Sequence, residues 1–268
     1  IYFEALDAHL NSGCAPLRGY IENGWKFMES PIPELYDLNR DFDEKTNLAP
    51  GKDLVPHQQK LSALRSSRES AAAPSGARTV DWETRERLRS LGYIVGSGGP
   101  AKKTYGVVDD LKRFLPFQQK LEQAVVMTSG SEKAAGFALF EELIGERRDF
   151  IAAYTFLAQA LIADGRSQEA LRVLDAGYRA NPENYEILKS YGTALLQFGQ
   201  ADPAVGLLEK ALIIVDDDPE VWDNLGLAHF NRRDYAGAVR YWEQVVQHAP
   251  AESPYLPQVQ ASIAEARE

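Results

Sequence analysis

Cysteine is almost missing: the 268 residues contain one, Cys14. A single thiol excludes an internal disulfide framework and any zinc site built from several thiolates, and it leaves the redox compartment open. Long hydrophobic runs are missing too. No stretch of roughly eighteen apolar residues could cross a bilayer, so no membrane span is expected. Basic charge is in short supply, with 29 Lys and Arg against 39 Asp and Glu and a net charge of −10. Phosphate binding needs clustered cations that release counterions, so nucleic acid is excluded as an expected partner. The 4 histidines, His9, His57, His229 and His248, are scattered, and no two have the helical spacing of a metal site. The chain opens Ile1-Tyr2-Phe3-Glu4, without an initiator Met, a basic leader or an apolar signal stretch. The expectation is a fragment whose upstream part is not included.

What is present is the composition of a soluble globular protein, 44% hydrophobic and 25% charged, long enough for two ordinary domains. In the first fifty residues Leu17 to Ile21 and Trp25 to Met28 flank Asn23-Gly24. That pair takes the positive φ angles of a two-residue turn, which predicts a β-hairpin. Glu34 to Leu38 reads as a short strand, with Pro31 and Pro33 before it and the polar turn Asn39 to Lys45 after it. From Asp53 to Ser67, Leu54, Leu61 and Leu64 recur at helical spacing. Residues 68–80 lack apolar periodicity and read as a linker. Residues 81–91 read as a short helix and Gly96-Ser97-Gly98-Gly99-Pro100 as a second hinge. That glycine cluster lacks the Gly-Lys-Ser/Thr continuation of a phosphate loop.

From Asp109 onward the pattern is helical, and it repeats. Ala158, Gly192 and Gly226 are spaced by 34 residues. So are Ala170, Ala204 and Ala238; Leu174, Leu208 and Trp242; Leu157, Tyr191 and Leu225; and Pro182, Asp216 and Pro250. Two antiparallel helices that pack closely need small residues where they approach, and Gly226 facing Ala238 is the expected pairing. Trp222, Leu225, Tyr235 and Trp242 are expected to fill the space between helices, with Pro250 ending the second. One pair leaves an apolar face uncovered, so the pairs must stack.

Tyr154, Leu157, Ala158, Ala170, Leu174, Pro182 and their later counterparts resemble the tetratricopeptide repeat over about 151–252. The resemblance implies helix pairs at 151–184, 185–218 and 219–252. Phe117 to Phe150 holds Ala124, Gly136 and Phe140 at the corresponding places, so 109–150 reads as a degenerate repeat or helical adapter. Residues 253–268, with Leu256, Val259 and Ile263 on one face, suit a capping helix. In this family the first helix of each pair lines the inner surface. The matching positions are Thr155, Gln159 and Ile162; Lys189, Thr193, Leu196 and Gln197; then Asp223, Leu227, Phe230 and Asn231. Lys189 is the only cation among them, so the set departs from the Lys/Asn/Arg group that clamps a C-terminal carboxylate. An extended protein or peptide partner is expected instead.

Cys14-Ala15-Pro16-Leu17-Arg18 spells C-x-P-x-R, the pattern in which sulfatases convert Cys to a formylglycine nucleophile. That chemistry also needs a cation held by carboxylates and basic residues around the sulfate. Nothing near Cys14 offers them, and it reads as a small residue in a strand or loop. A second resemblance takes in the same residues. Pro16-Leu17-Arg18-Gly19, Asn23-Gly24-Trp25-Lys26-Phe27, Pro33 to Leu38, Asp41, Asp43-Glu44 and Asn47-Leu48-Ala49 are similar to the C-terminal subdomain of sulfatases, in the alkaline phosphatase superfamily. Arg85 to Tyr93 resembles the junction that follows in sulfatases fused to tetratricopeptide repeats. The resemblance implies a small antiparallel sheet with a helix, far downstream of the nucleophile.

The expected fold is mainly α: a helix-turn-helix solenoid preceded by a small α+β segment with an antiparallel hairpin or sheet. The expected boundaries are 1–70 for that incomplete subdomain and 71–108 for a linker with a short helix. His229 is expected in the core or rim. Asp216-Asp217-Asp218 lacks the loop of a calcium site and reads as an acidic turn before Pro219. No catalytic residue, cofactor or metal ligand is expected within the chain. If the sulfatase resemblance holds, a calcium ion belongs to a catalytic domain upstream. The alternative is a stand-alone repeat adaptor with no link to sulfate esters.

Overall fold

The computed structural model describes residues 1–5, 14–71, 104–249 and 256–268. The helix expected over 81–91, the hinge at Gly96–Pro100, most of the linker, His9 and Pro250 lie outside the described residues. Among the described residues there are four strands and ten α-helices in two compact units.

The first unit contains a four-stranded antiparallel sheet in the order β1-β2-β3-β4: Tyr2–Ala5, Leu17–Glu22, Trp25–Glu29 and Glu34–Asp37. The β2–β3 turn is the Asn23-Gly24 pair, at φ 49° and 77°. Both are left-handed, as a turn that follows the strand twist requires. Helix α1, Val55–Ala71, covers the sheet. Its Leu61 packs with Tyr20, Phe27, Leu35 and Ala49, joined by Leu54 and Leu64. The helix continues to Ala71, past the point where apolar spacing stops. His57 lies against Phe27, with ring centroids 5.4 Å apart, and its Nδ1 is 2.6 Å from the Tyr20 hydroxyl. Burial lowers its pKa, partly opposed by Asp53. Cys14 is buried in the loop before β2.

Asn47 is a clip beside β4. Its Oδ1 accepts from the amides of Leu35 at 3.0 Å and Ala49 at 2.9 Å, while its Nδ2 donates to the Pro33 carbonyl. Residues 104–116 also belong to this unit. They are tied in by Asp110, which is 1% exposed. Its carboxylate accepts from the Ser30 hydroxyl at 2.7 Å and the Ile32 amide at 2.8 Å. Lys112 reaches Glu34 at 2.7 Å. Burial alone would raise the Asp110 pKa, but the Ser30 hydroxyl, the Lys112 and Ile32 amides and the Lys112 ammonium outweigh it and hold the carboxyl below the usual range. A depressed folded pKa contributes stability above the unfolded value of about 4, and that contribution is lost as pH falls through the folded value. Asp110→Asn is therefore expected to lower stability at pH 7 and to flatten the acid limb of a stability-against-pH curve. Urea unfolding at a series of pH values checks both.

The second unit begins within α2, Leu111–Ser129, and continues with α3, Lys133–Glu146. Lys120 of α2 joins Glu142 at 2.6 Å and Glu146 at 3.0 Å on α3. Three helix pairs follow: α4 Ile151–Ala163 with α5 Ser167–Ala180; α6 Tyr185–Gln197 with α7 Ala201–Ile214; and α8 Pro219–Asn231 with α9 Tyr235–His248. Helix α10, Leu256–Arg267, closes the array by packing Val259 and Ile263 against Trp242 and Val245. The second core joins α6, α7 and α8 through Leu188, Leu195, Leu208, Ala211, Val221 and Leu225.

The small-residue columns also face large side chains, beside the expected pairing of small with small, in which a Cβ on Gly192 would lie 3.4 Å from the Ala204 carbonyl oxygen. A Cβ on Gly226 would lie 2.4 Å from Nε1 of Trp242, and one on Gly192 would lie 2.7 Å from Cγ of Leu208. The glycine makes room for the large side chain one turn beyond the alanine. Ala238, fully buried, is small for the same crowded crossing.

Each pair turns through one left-handed residue: Gly165 at φ 76°, Gly199 at 75° and Arg233 at 62°. The next amide then returns to the first helix, Arg166 to the Leu161 carbonyl, Gln200 to Leu195 and Asp234 to His229. Arg233 bears the steric cost its glycine counterparts avoid. Arg233→Gly is expected to stabilise the array by about 0.5–1 kcal/mol, and Gly199→Ala to destabilise it by a similar amount. Chemical unfolding followed by helical circular dichroism should show the opposite signs.

Candidate partner-binding groove

The first helices of the pairs bring most of the expected inner-face residues together. Thr155, Gln159 and Ile162 of α4 and Lys189, Thr193 and Gln197 of α6 line one cleft of about 420 Å³, with Ala158, Leu174, Glu186, Ser190, Ala194 and Glu220. Small residues at Ala158 and Ala194 keep the floor low. Gln159 and Gln197 are exposed, while Thr155, Ile162, Lys189 and Thr193 are half-buried. Leu196 is the exception among the expected residues. At 6% exposure it belongs to the core with Leu188, Leu195 and Val205 and does not line the cleft.

Several of these side chains are already held by the next repeat. The Lys189 ammonium lies 3.1 Å from Asp218 and 2.5 Å from Glu220, so the expected lone cation is matched by two carboxylates. Asp218 is 3% exposed. Its Oδ1 caps α8 by accepting from the Glu220 amide at 2.8 Å and the Val221 amide at 3.3 Å. Its Oδ2 accepts from the hydroxyl of buried Tyr185. Asp218 is thus both the local cap of α8 and a strut between repeats, and only the strut depends on long-range geometry. Thr193 accepts from Asn224 at 3.1 Å.

Along α8 the remaining expected positions follow one another. Asp223 and Leu227 are exposed, the latter at 43%, Phe230 is half-buried and Asn231 is exposed. Phe230 rests against Trp242 and Tyr235, with ring centroids 5.9 and 5.4 Å away. The Asp223 carboxylate accepts from the indole of Trp242 at 2.9 Å. Desolvation raises its pKa and the charge of Glu220 adds to the rise, against the lowering by that hydrogen bond. The residue still meets water at one edge, so its carboxyl is crowded rather than enclosed.

His229 is buried at 7% exposure, its Nδ1 2.7 Å from Asp234. Asp234 also accepts from the Gly237 amide and caps α9. That amide hydrogen bond, followed by His229, holds the Asp234 pKa down. His229 therefore fixes a turn. Among the described residues no group of three or more His, Cys, Asp and Glu is placed to hold a metal ion, and no helix is long and apolar enough to cross a membrane.

Stacked antiparallel helix pairs with an inner groove define a helical repeat scaffold. Family models name the repeat: tetratricopeptide repeat, matched over residues 161–226 and again over 219–252. Those residues are tetratricopeptide repeats, a scaffold for protein interaction. A curated relative, the cytochrome c-type biogenesis protein CycH of Pseudomonas aeruginosa, is 26% identical over 134 residues, which is 49% of this chain and 33% of that protein. The match thus spans about a third of the relative's length. Solved structures similar to the chain include MamA 41-end from Desulfovibrio magneticus RS-1, at 17% identity and a TM-score of 0.47, over 56% of this chain and 89% of that one. Another is a putative kinesin light chain with nearly identical TPR-like repeats from Podosopora anserina, at 21% identity and a TM-score of 0.46, over 56% of this chain and 85% of that one.

Proposed function

We propose that the inner strip of α4, α6 and α8 holds an extended protein segment. The cleft between α4 and α6 carries this reading, because it has an apolar floor with amides and hydroxyls at its rim, the mixture that secures a peptide backbone. Photo-crosslinking groups placed at Gln159 and Gln197 test it against one at Ile213 of α7, which is 84% exposed and lies outside the cleft. Adducts with a protein partner are expected from the first two positions. Equal adduct formation from Ile213 would overturn the reading.

The larger setting we infer is the noncatalytic C-terminal part of a sulfatase-like sulfuric ester hydrolase. The residues of the sulfatase-like run support it, because they carry the first unit's local structure: Asn23-Gly24 makes the hairpin turn, Glu34 to Asp37 is β4, and Asn47 is its clip. In such enzymes the formylglycine and its calcium ligands come from an earlier part of the polypeptide. Cys14, buried, plays no part in the reaction on this reading. The coding sequence upstream of Ile1 is the direct test. Absence there of a C-x-P-S-R-like site and aspartate ligands would leave the stand-alone adaptor.

A further inference from the structure

Charge along the groove says what kind of segment it takes. The cleft and the adjoining face of α8 carry Glu186, Glu220 and Asp223, with Asp218 buried behind them. Lys189 is the cation that lines the cleft, and its ammonium is shared by Asp218 and Glu220. Helix α4 contributes no charged side chain at all. Asp223, an exposed residue, is met by a neutral indole N–H rather than by a cation, and desolvation and the charge of Glu220 raise its pKa. One turn further along α8 is Leu227, 43% exposed, and then half-buried Phe230. A helical step of four residues advances about 6 Å, close to two residues of extended chain.

We propose that the groove's occupant is a basic extended segment, in which a Lys or Arg that meets Asp223 is followed two residues on by an aliphatic side chain that covers Leu227. This rests on the reading of the inner strip as the partner surface. Lys189 cannot serve as the anchor for an acidic tail, because it is engaged by two carboxylates of its own array. A cation arriving at Asp223 relieves the repulsion from Glu220, whereas a carboxylate arriving there adds to it.

The test uses the full chain and two fluorescein-labelled nonapeptides, Gly-Lys-Ser-Leu-Gly-Lys-Ser-Leu-Gly and its Glu-for-Lys counterpart, followed by fluorescence anisotropy. The Lys peptide is expected to bind at least about tenfold tighter than the Glu peptide, a preference that shrinks as salt rises from about 50 to about 500 mM. Asp223→Asn and Glu220→Gln are each expected to weaken it about threefold to tenfold, with the helical circular dichroism unchanged. Equal binding of the two peptides, or variants that leave Kd unchanged, overturns the proposal. So does failure of the Lys peptide to bind at about millimolar concentration. Adducts from Gln159 and Gln197 alongside such a failure would keep the groove as a partner surface and reject only its basic ligand.

Discussion

Asp218→Ala is expected to cost the array about 3 kcal/mol, the sum of a lost helix cap and of polar groups left without their partner. The cap alone is worth about 1 kcal/mol. The rest comes from Tyr185, 1% exposed, whose hydroxyl donates to Asp218, and from Lys189, whose side chain retains 12% of its surface in water and would lose one of its carboxylates. Asp218→Asn, whose single oxygen can still cap α8 while its amide nitrogen can only donate toward the Tyr185 hydroxyl, is expected to lose less, because the cap survives. The previous repeat uses Asn184 at the same position, where it accepts from the Ile187 amide at 3.1 Å. Because Asp218 lies between repeats, both the third repeat and its interface with the second weaken. Hydrogen exchange should show α8 and α9 losing protection while α4 and α5 keep theirs. A change in unfolding free energy below about 0.5 kcal/mol would show that water replaces the carboxylate at little cost.

The columns that carried the repeat in the sequence are the ones physics makes strict. Ala158, Gly192 and Gly226 recur because a helix crossing excludes side chains, and Ala170, Ala204 and Ala238 recur for the same reason. The turn column was equally periodic but masked by one exception, since Gly165 and Gly199 are followed by Arg233. The cap column was masked likewise, with Phe150 ahead of Asn184 and Asp218. In the first unit the hairpin was legible because Asn23-Gly24 is a local signal. The tie of Asp110 to Ser30 was not, because it joins residues 80 apart and involves polar groups that leave no apolar period. Six of the expected inner positions were legible as the lining of one cleft, since helix geometry decides which way they point. Its electrostatics were not. That Lys189 is engaged, and that Leu196 turns into the core, depends on side chains of neighbouring helices that no single repeat contains.

The crossing in the third repeat predicts a coupling that the first repeat already displays in its sequence. A methyl group on Gly226 would enter the space of the Trp242 indole, at 2.4 Å from Nε1, so Gly226→Ala is expected to cost about 2 kcal/mol through a displaced ring. Trp242→Leu, which removes much of a side chain only 3% exposed, is expected to cost about 2–3 kcal/mol through the cavity it leaves. The same two columns hold Ala158 and Leu174 in the first repeat, both 1% exposed, so an alanine and a leucine fill this crossing together. The double variant should therefore lose at least about 1 kcal/mol less than the sum of the single losses, because the added methyl occupies space the indole vacates. Asp223 gives up its indole donor in that variant, and water at its exposed edge replaces it. Strict additivity in urea unfolding would mean that Gly226 and Trp242 are not in contact and that the glycine column owes its periodicity to something other than the large side chain beside it.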